Sequence, residues 1–397
     1  MGSAPVHSNP TRSVTEWTRD DVNRLKEDVI RFSKSIGIDK IGFASADPFA
    51  ELKRRLEKHR QLGYESGFEE PDLEKRTTPT KILPEARSII AIALAYPSKM
   101  NNPPKSSKGA YRGIMCRASW GEDYHHILND KLQQLADFLK SRVHDVRLES
   151  MVDTGALSDR AVAERAGIGW SGKNTALITP EFGSYVYLGE MLTSIPFEPD
   201  EPLTESCGTC TKCLDACPTG ALVQGGQLNA NKCIAYLTQV KNLIPIEYRE
   251  KIGNRLYGCD TCQSVCPMNH RKNFTHHPRM QPDPEVAKPL LKPLLTMSKR
   301  QFKETFGHTA ASWRGKKPIQ RNALIALAHF KDQSAVPLLA ELLEKDPRPS
   351  IRGTAAWALG KIGGEEARLA LERAKAKEAD EDVIWEIDEA SKRLNEK

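Results

Sequence analysis

Between Asp20 and Ile36, apolar residues recur at Val22, Leu25, Val29 and Phe32, the spacing of a helix with one buried stripe. The pattern then switches. Lys40–Ala44 reads as a short strand, Phe49–Arg60 as a helix and residues 88–96, SIIAIALAY, as a fully buried strand. A second amphipathic helix spans Glu122–Ser141 through Ile127, Leu128, Leu132, Leu135, Phe138 and Leu139, and Asp145–Val152 returns to strand. This alternation predicts an α/β domain over residues 20–195, with ligands expected at the carboxyl ends of its strands. From Pro318 onward the period is longer. Ile319–Ala328 matches Ile351–Gly360 at an offset of 32, Val336–Leu343 closes the first repeat, and a fainter echo starts at Val383. Paired helices repeating in this way predict a HEAT-like all-α array.

The chain has 397 residues, enough for two or three domains, and a formal net charge of +6, compatible with a polyanionic partner. The longest apolar stretch is less than half of what a bilayer crossing needs. Arg54-Arg55 is not followed by a hydrophobic region, so it does not read as an export signal. A soluble cytoplasmic protein is the expectation. Residues 1–19 read as a tail or an appended remnant, and 196–280 as a separate domain between the α/β region and the repeats at 281–397.

Nine cysteines occur, eight of them between positions 207 and 266. In a reduced compartment, thiols this crowded point to metal rather than disulfides. Zinc prefers two separated pairs, which the first run does not resemble. Cys207-x2-Cys210-x2-Cys213-x3-Cys217-Pro218 instead matches the bacterial ferredoxin signature. Cys259-x2-Cys262-x3-Cys266-Pro267 repeats its second half, with Cys233 displaced upstream as the missing first ligand. In two-cluster ferredoxins the fourth cysteine of each run crosses to the other cluster. One [4Fe–4S] cluster is therefore expected on Cys207, Cys210, Cys213 and Cys266, and the other on Cys217, Cys233, Cys259 and Cys262. Paired clusters move single electrons but choose no substrate, so they need a partner site and an external electron donor.

Candidates for that site lie upstream. Asp153, in Val-Asp-Thr-Gly at a strand end, reads equally as a proton donor over a cleft or as a cap for the next helix. Residues 167–174, GIGWSGKN, satisfy G-x-G-x-x-G, but a helix precedes them and an extended segment follows, the reverse of a nucleotide loop. A glycine-rich loop lying against another ligand is the better reading. Cys116 is either a packed thiol or one activated by Arg112 and Arg117. Asp123-Tyr-His125 begins like the corrinoid D-x-H-x-x-G motif, but Leu128 replaces its glycine, so a histidine ligand to cobalt is not expected. Basic residues interleaved with aromatics around Arg271 and Lys272, and again at Arg314, Lys316, Lys317 and Arg321, suit RNA; a solvated charged face is the simpler alternative.

Taken together, residues 116–125 (CRASWGEDYH), 152–155 (VDTG), 164–175 (ERAGIGWSGKNT), the displaced ferredoxin pattern and the repeat tail resemble the bacterial epoxyqueuosine reductase family over about residues 20–397. The resemblance implies an α/β cobalamin-binding domain, an inserted two-[4Fe–4S] ferredoxin domain and HEAT-like repeats. It implies reduction of epoxyqueuosine to queuosine at the wobble position of tRNA with cobalamin as cofactor; the missing histidine ligand then predicts base-off cobalamin, and an RNA-sized partner suits a monomer. It assigns Asp153 as the acid above cobalt, and Arg76, Cys116, Trp170, Ser171, Lys173 and Asn174 as cofactor contacts. A cytosolic corrinoid dehalogenase and a ferredoxin fused to a binding solenoid are the alternatives.

Overall fold

Ser88–Ala95 is buried along its whole length because it is the second strand of a four-stranded sheet covered on both faces. In this computed structural model, which describes residues 12–13 and 17–396, the chain divides into two compact units. The first unit comprises residues 1–95 and 125–210. Its sheet contains β1 (Lys40–Ser45), β2 (Ser88–Ala95), β3 (Leu148–Met151) and β4 (Val186–Thr193), in the order β1-β2-β4-β3. Every neighbouring pair is antiparallel, so the alternation of helix and strand did not produce the parallel sheet on which the carboxyl-end rule depends. Alternation predicts the elements; it does not fix the direction in which each strand re-enters the sheet.

The longer helices of this unit are α1 (Arg19–Ser35), α2 (Ala50–Gln61), α3 (Tyr124–Arg142, whose first residue belongs to the other unit) and α4 (Asp159–Arg165). Thr18 starts α1 with a capping box to Asp21. The end of α4 presses on β1 so closely that a Cβ on Gly42 would meet the Ala166 carbonyl oxygen at 2.1 Å. On the opposite face Leu132 of α3 approaches Gly189 of β4. Burying Ile89, Ile90, Ile92 and Leu94 stabilises the sheet by roughly 1.5–3 kcal/mol each. That margin lets β4 carry a fully buried acid, Glu190, opposite Ala91 and Met151. Of the tail expected over 1–19, residues 1–11 and 14–16 lie outside the described residues, and Arg12–Ser13 pair in parallel with Val143–His144.

The second unit comprises residues 96–124 and 211–397. The contiguous boundaries expected from the sequence do not allow for its first segment, which belongs here because Ile114–Met115 pair in parallel with Arg255–Tyr257. Two short helices lie between the two cysteine runs, α5 (Ile234–Leu237) and α6 (Ile246–Ile252). The repeats form α7 (Lys316–His329), α8 (Val336–Lys345), α9 (Pro349–Ile362), α10 (Glu365–Lys375) and α11 (Glu381–Asn395), as the 32-residue offset predicted. Their core joins Leu324, Leu327, Leu339, Trp357, Leu371 and Ile387. A buried ion pair, Arg249 with Glu386, ties α6 to α11.

Candidate functional site

In the first unit the chain leaves β3 and turns at Asp153, whose φ of 53° lies in the left-handed region that non-glycine residues avoid. Asp159 holds this turn: its Oδ2 accepts the Asp153 backbone N–H at 2.8 Å. Asp153 is therefore not the cap of α4, a position Ser158 occupies. Its carboxylate is exposed, with Oδ2 at 3.4 Å from His125 Nε2. Burial, and then the negative charge of Asp153, push the Asp159 carboxyl up to about 6. Burial, and then the charges of Asp159 and Asp153, hold Glu190 well above the usual carboxylate range, the direction that favours its protonated form. Neither Glu190 oxygen has a partner at hydrogen-bonding geometry, although the Asp159 carboxyl is close enough to interact with it. The result is an exposed acid on a strained turn, backed by two acids in a low-dielectric interior.

The glycine-rich loop forms a small hairpin, Trp170–Ser171 against Leu177–Ile178. Its glycines have internal reasons: a Cβ on Gly169 would meet the Ile178 carbonyl oxygen at 2.3 Å, and one on Gly172 the Asn174 Oδ1 at 2.6 Å. The small residues thus serve the hairpin's own packing. Ser171 is also engaged internally, donating from N and Oγ to Glu164. Lys173 faces the first cysteine loop, with its N–H on Cys207 Sγ at 3.4 Å and its Nζ on the Gly208 carbonyl at 2.6 Å. Trp170 and Asn174 differ: Trp170 Nε1 and Asn174 Nδ2 are buried donors without an acceptor. A ligand rich in amide carbonyls, such as a corrin with its side chains, fits that pair. Arg76 is half-buried among Glu65, Glu69 and Glu70, with burial outweighing these acids in lowering its pKa, and its charge reaches Arg160, which donates to the Thr175 carbonyl of the hairpin.

Cys207 and Cys210 close the first unit; Cys213, Cys217, Cys233, Cys259, Cys262 and Cys266 belong to the second. Within the second unit, burial and then the charges of Cys259, Cys233, Cys213 and Cys217 push the Cys262 thiol up to about 12. Cys217 stays below its ordinary value despite burial, because backbone N–H groups of Leu222, Thr219 and Ala221 and the Thr219 hydroxyl point at its sulfur. Thiols crowded until their charges repel, with amides aimed at them, fit a polynuclear iron–sulfur ligand set. Cys116 shows no activation: burial and then Asp260 push its thiol up, while Arg117 is paired with Asp260 and Arg112 with Glu285. Its sulfur packs under Gly258, where an added Cβ would sit 2.4 Å away.

Three family models match segments of the chain: epoxyqueuosine reductase QueG (DUF1730) over residues 76–154, a 4Fe-4S double cluster binding domain over 206–269 and HEAT repeats over 314–390. An epoxyqueuosine reductase of Bacillus cereus is 63% identical over 95% of this chain and 99% of its own length. The chain belongs to the epoxyqueuosine reductase family. A solved epoxyqueuosine reductase holding an epoxyqueuosine-modified tRNA-Tyr stem loop superposes with a TM-score of 0.93 at 65% identity, covering 94% of this chain and all of that one. The Bacillus subtilis family member, solved with a catalytic aspartate loop swung out of its active site, gives a TM-score of 0.92 at 64% identity, covering 94% of this chain and all of that one.

For this family member, the basic residues singled out in the sequence fall into two groups. Arg271 is exposed, and Lys272 and Lys317 are partly so. Burial, and then the neighbouring cations Arg348, Arg321 and Lys241, lower the Lys317 pKa against the opposing charge of Asp346. Lys316 donates to the Met297 carbonyl and Arg314 to that of Gln239, so both are partly committed. Arg321 contradicts the RNA reading outright: it is fully buried inside α7. The basic run was read without regard to helical phase, and from Pro318 to Ala328 this helix is buried all round. His125 stood out in the sequence only as a rejected cobalt ligand, and Asp159 and Glu190 were missed. A signal existed for Glu190, the one acid in the inward-facing series Val186, Leu188, Glu190, Leu192.

Proposed function

We propose that this chain reduces the epoxide of epoxyqueuosine to the cyclopentene of queuosine at the wobble position of tRNA, consuming two electrons and two protons and releasing water. The observation that carries this reading is its full-length similarity to a protein solved with an epoxyqueuosine-modified tRNA stem loop. A dehalogenase or a plain electron carrier has no comparable support. When bound, cobalamin would supply the reducing chemistry directed at the epoxide, with two iron–sulfur clusters as its source of single electrons. Trp170 Nε1 and Asn174 Nδ2 are the groups suited to hold it.

The remaining chemistry belongs to the chain's own residues. Asp153 protonates the departing epoxide oxygen, since its carboxyl is exposed and its turn is fixed by Asp159. His125, within 3.4 Å, orients that carboxyl and returns its proton. Asp159 holds the turn that presents this carboxyl, and Glu190 lies buried within reach of the charges of both aspartates. Arg271, Lys272 and Lys317 bind phosphates of the stem loop, where contacts to the backbone position the RNA without reading it. The protein acts in the cytoplasm as a monomer fed by an external one-electron donor, and no helix among the described residues is long and apolar enough to cross a membrane.

Incubating reconstituted protein, cobalamin and a strong reductant with epoxyqueuosine-bearing tRNA tests this reading. Mass spectrometry of the digested nucleosides should show loss of one oxygen atom. An unchanged nucleoside, with both clusters and cobalamin loaded, would refute it.

A further inference from the structure

Arg321 is a fully buried cation whose every acceptor is neutral. Its Nη1 donates to the carbonyls of Val240 and Asn242, both at 2.6 Å, and its Nη2 to Leu237 O at 2.8 Å. Nε and Nη2 also share Asn322 Oδ1 at 3.1 and 2.9 Å. All five guanidinium donors are thereby used, yet no carboxylate among the described residues meets the charge, and the charged neighbour it feels is another cation, Arg249. Burying a charge without an opposite one costs several kcal/mol, so an arrangement like this implies an anion that no side chain supplies.

The contacts show where that anion belongs. Leu237 ends α5, whose N-terminal cap is Cys233, so the carbonyl that Nη2 holds belongs to a residue four positions, about 6 Å of helix rise, beyond that ligand. Asn322 donates through Nδ2 to Thr238 O at 2.8 Å and to Leu256 O at 2.7 Å. Thr238 Oγ1 in turn accepts the N–H of Gly258, the residue before Cys259, at 2.9 Å. One pair of residues on α7 therefore grips both the Cys233 arm and the Cys259 arm of the same ligand set. Four thiolates around an iron–sulfur core leave it net negative, and each added electron makes it more so.

We propose that Arg321 is the permanent counter-charge of the second cluster and, with Asn322, the clamp that fixes the separation of its Cys233 and Cys259 arms. The first repeat helix is then part of the electron path's scaffold as well as of the repeat array. The inference rests on the cluster assignment and is independent of the substrate.

The test uses the full chain, reconstituted without oxygen, and two variants. In Arg321→Gln the charge is lost; in Arg321→Lys it is kept while the fork is lost. Each protein is assayed for iron and sulfide, and the midpoint potential of each cluster is followed by electron paramagnetic resonance. Arg321→Gln should move one cluster to more negative potential, lowering its reduced-to-oxidised ratio at fixed potential about tenfold, or about 59 mV for a one-electron couple, and leave the other cluster unmoved. Recovery of Arg321→Gln with half the iron also supports the clamp, provided the loaded fraction of Arg321→Lys keeps the wild-type potential. Full iron with unchanged potentials in Arg321→Gln overturns the proposal, as does an equal shift in Arg321→Lys.

Discussion

The first unit buries Glu190 and Asp159; the second buries Arg321. In neither place does a side chain of opposite sign neutralise the charge, yet the physical outcomes differ. A carboxyl can avoid the desolvation cost by taking up a proton, the direction in which burial pushes Glu190, while a guanidinium stays charged across the pH range in which proteins fold. The acids therefore create a place where protons are held and released. The arginine creates a fixed positive field instead. One suits a step that protonates a leaving oxygen, and the other suits a centre that gains and loses electrons.

The largest effect on folding should come from making the second unit's cysteine arm less exact. Gly258→Ala puts a Cβ 2.4 Å from Cys116 Sγ at a φ of +70°, and should cost about 2–4 kcal/mol and lower the iron content, read by chemical denaturation and iron analysis. Asp159→Asn should act in the opposite direction. Its folded-state value of about 6 lies above the ordinary 3.8, so the folded chain binds that proton more tightly than the unfolded chain does. Wild-type stability therefore falls as pH rises from about 4 to 6, and the variant, lacking this loss, should be about 3 kcal/mol more stable above pH 6. Thermal melts at pH 5 and pH 8 would show the gap opening, while turnover drops because the Asp153 turn has lost its charged acceptor.

Smaller effects separate surface charge from buried charge. Arg271→Gln should weaken tRNA binding uniformly across sequences and reduce the salt slope by about one, whereas Arg321→Gln should leave that slope unchanged; titrations at several salt concentrations distinguish them. Glu190→Gln should alter stability by less than about 1 kcal/mol, since an amide replaces an acid that is already neutral. A large gain in stability there would mean that Glu190 is ionised, and the contrast between the two units would lose its basis.

Much of this was legible in the sequence because periodicity and spacing are local. The helices at Arg19–Ser35 and Tyr124–Arg142, the buried strand at Ser88–Ala95, the eight cysteines and the repeat offset all follow from neighbours along the chain. What depends on contacts between distant residues was hidden. The antiparallel order of the sheet, the hold of Asp159 on Asp153 and the grip of Arg321 on residues 237–242 are set only when segments meet. The glycines of residues 167–174 illustrate the same limit: the motif is visible, but the hairpin that needs them depends on Leu177–Ile178 folding back.

The central claim is that Asp153 delivers the proton to the departing oxygen. A single-turnover assay of Asp153→Asn, with both clusters and cobalamin loaded and epoxyqueuosine-bearing tRNA in excess, tests it most directly. The account predicts normal cofactor binding with product formation slowed about 10²- to 10⁴-fold. Product formation at the wild-type rate would contradict it.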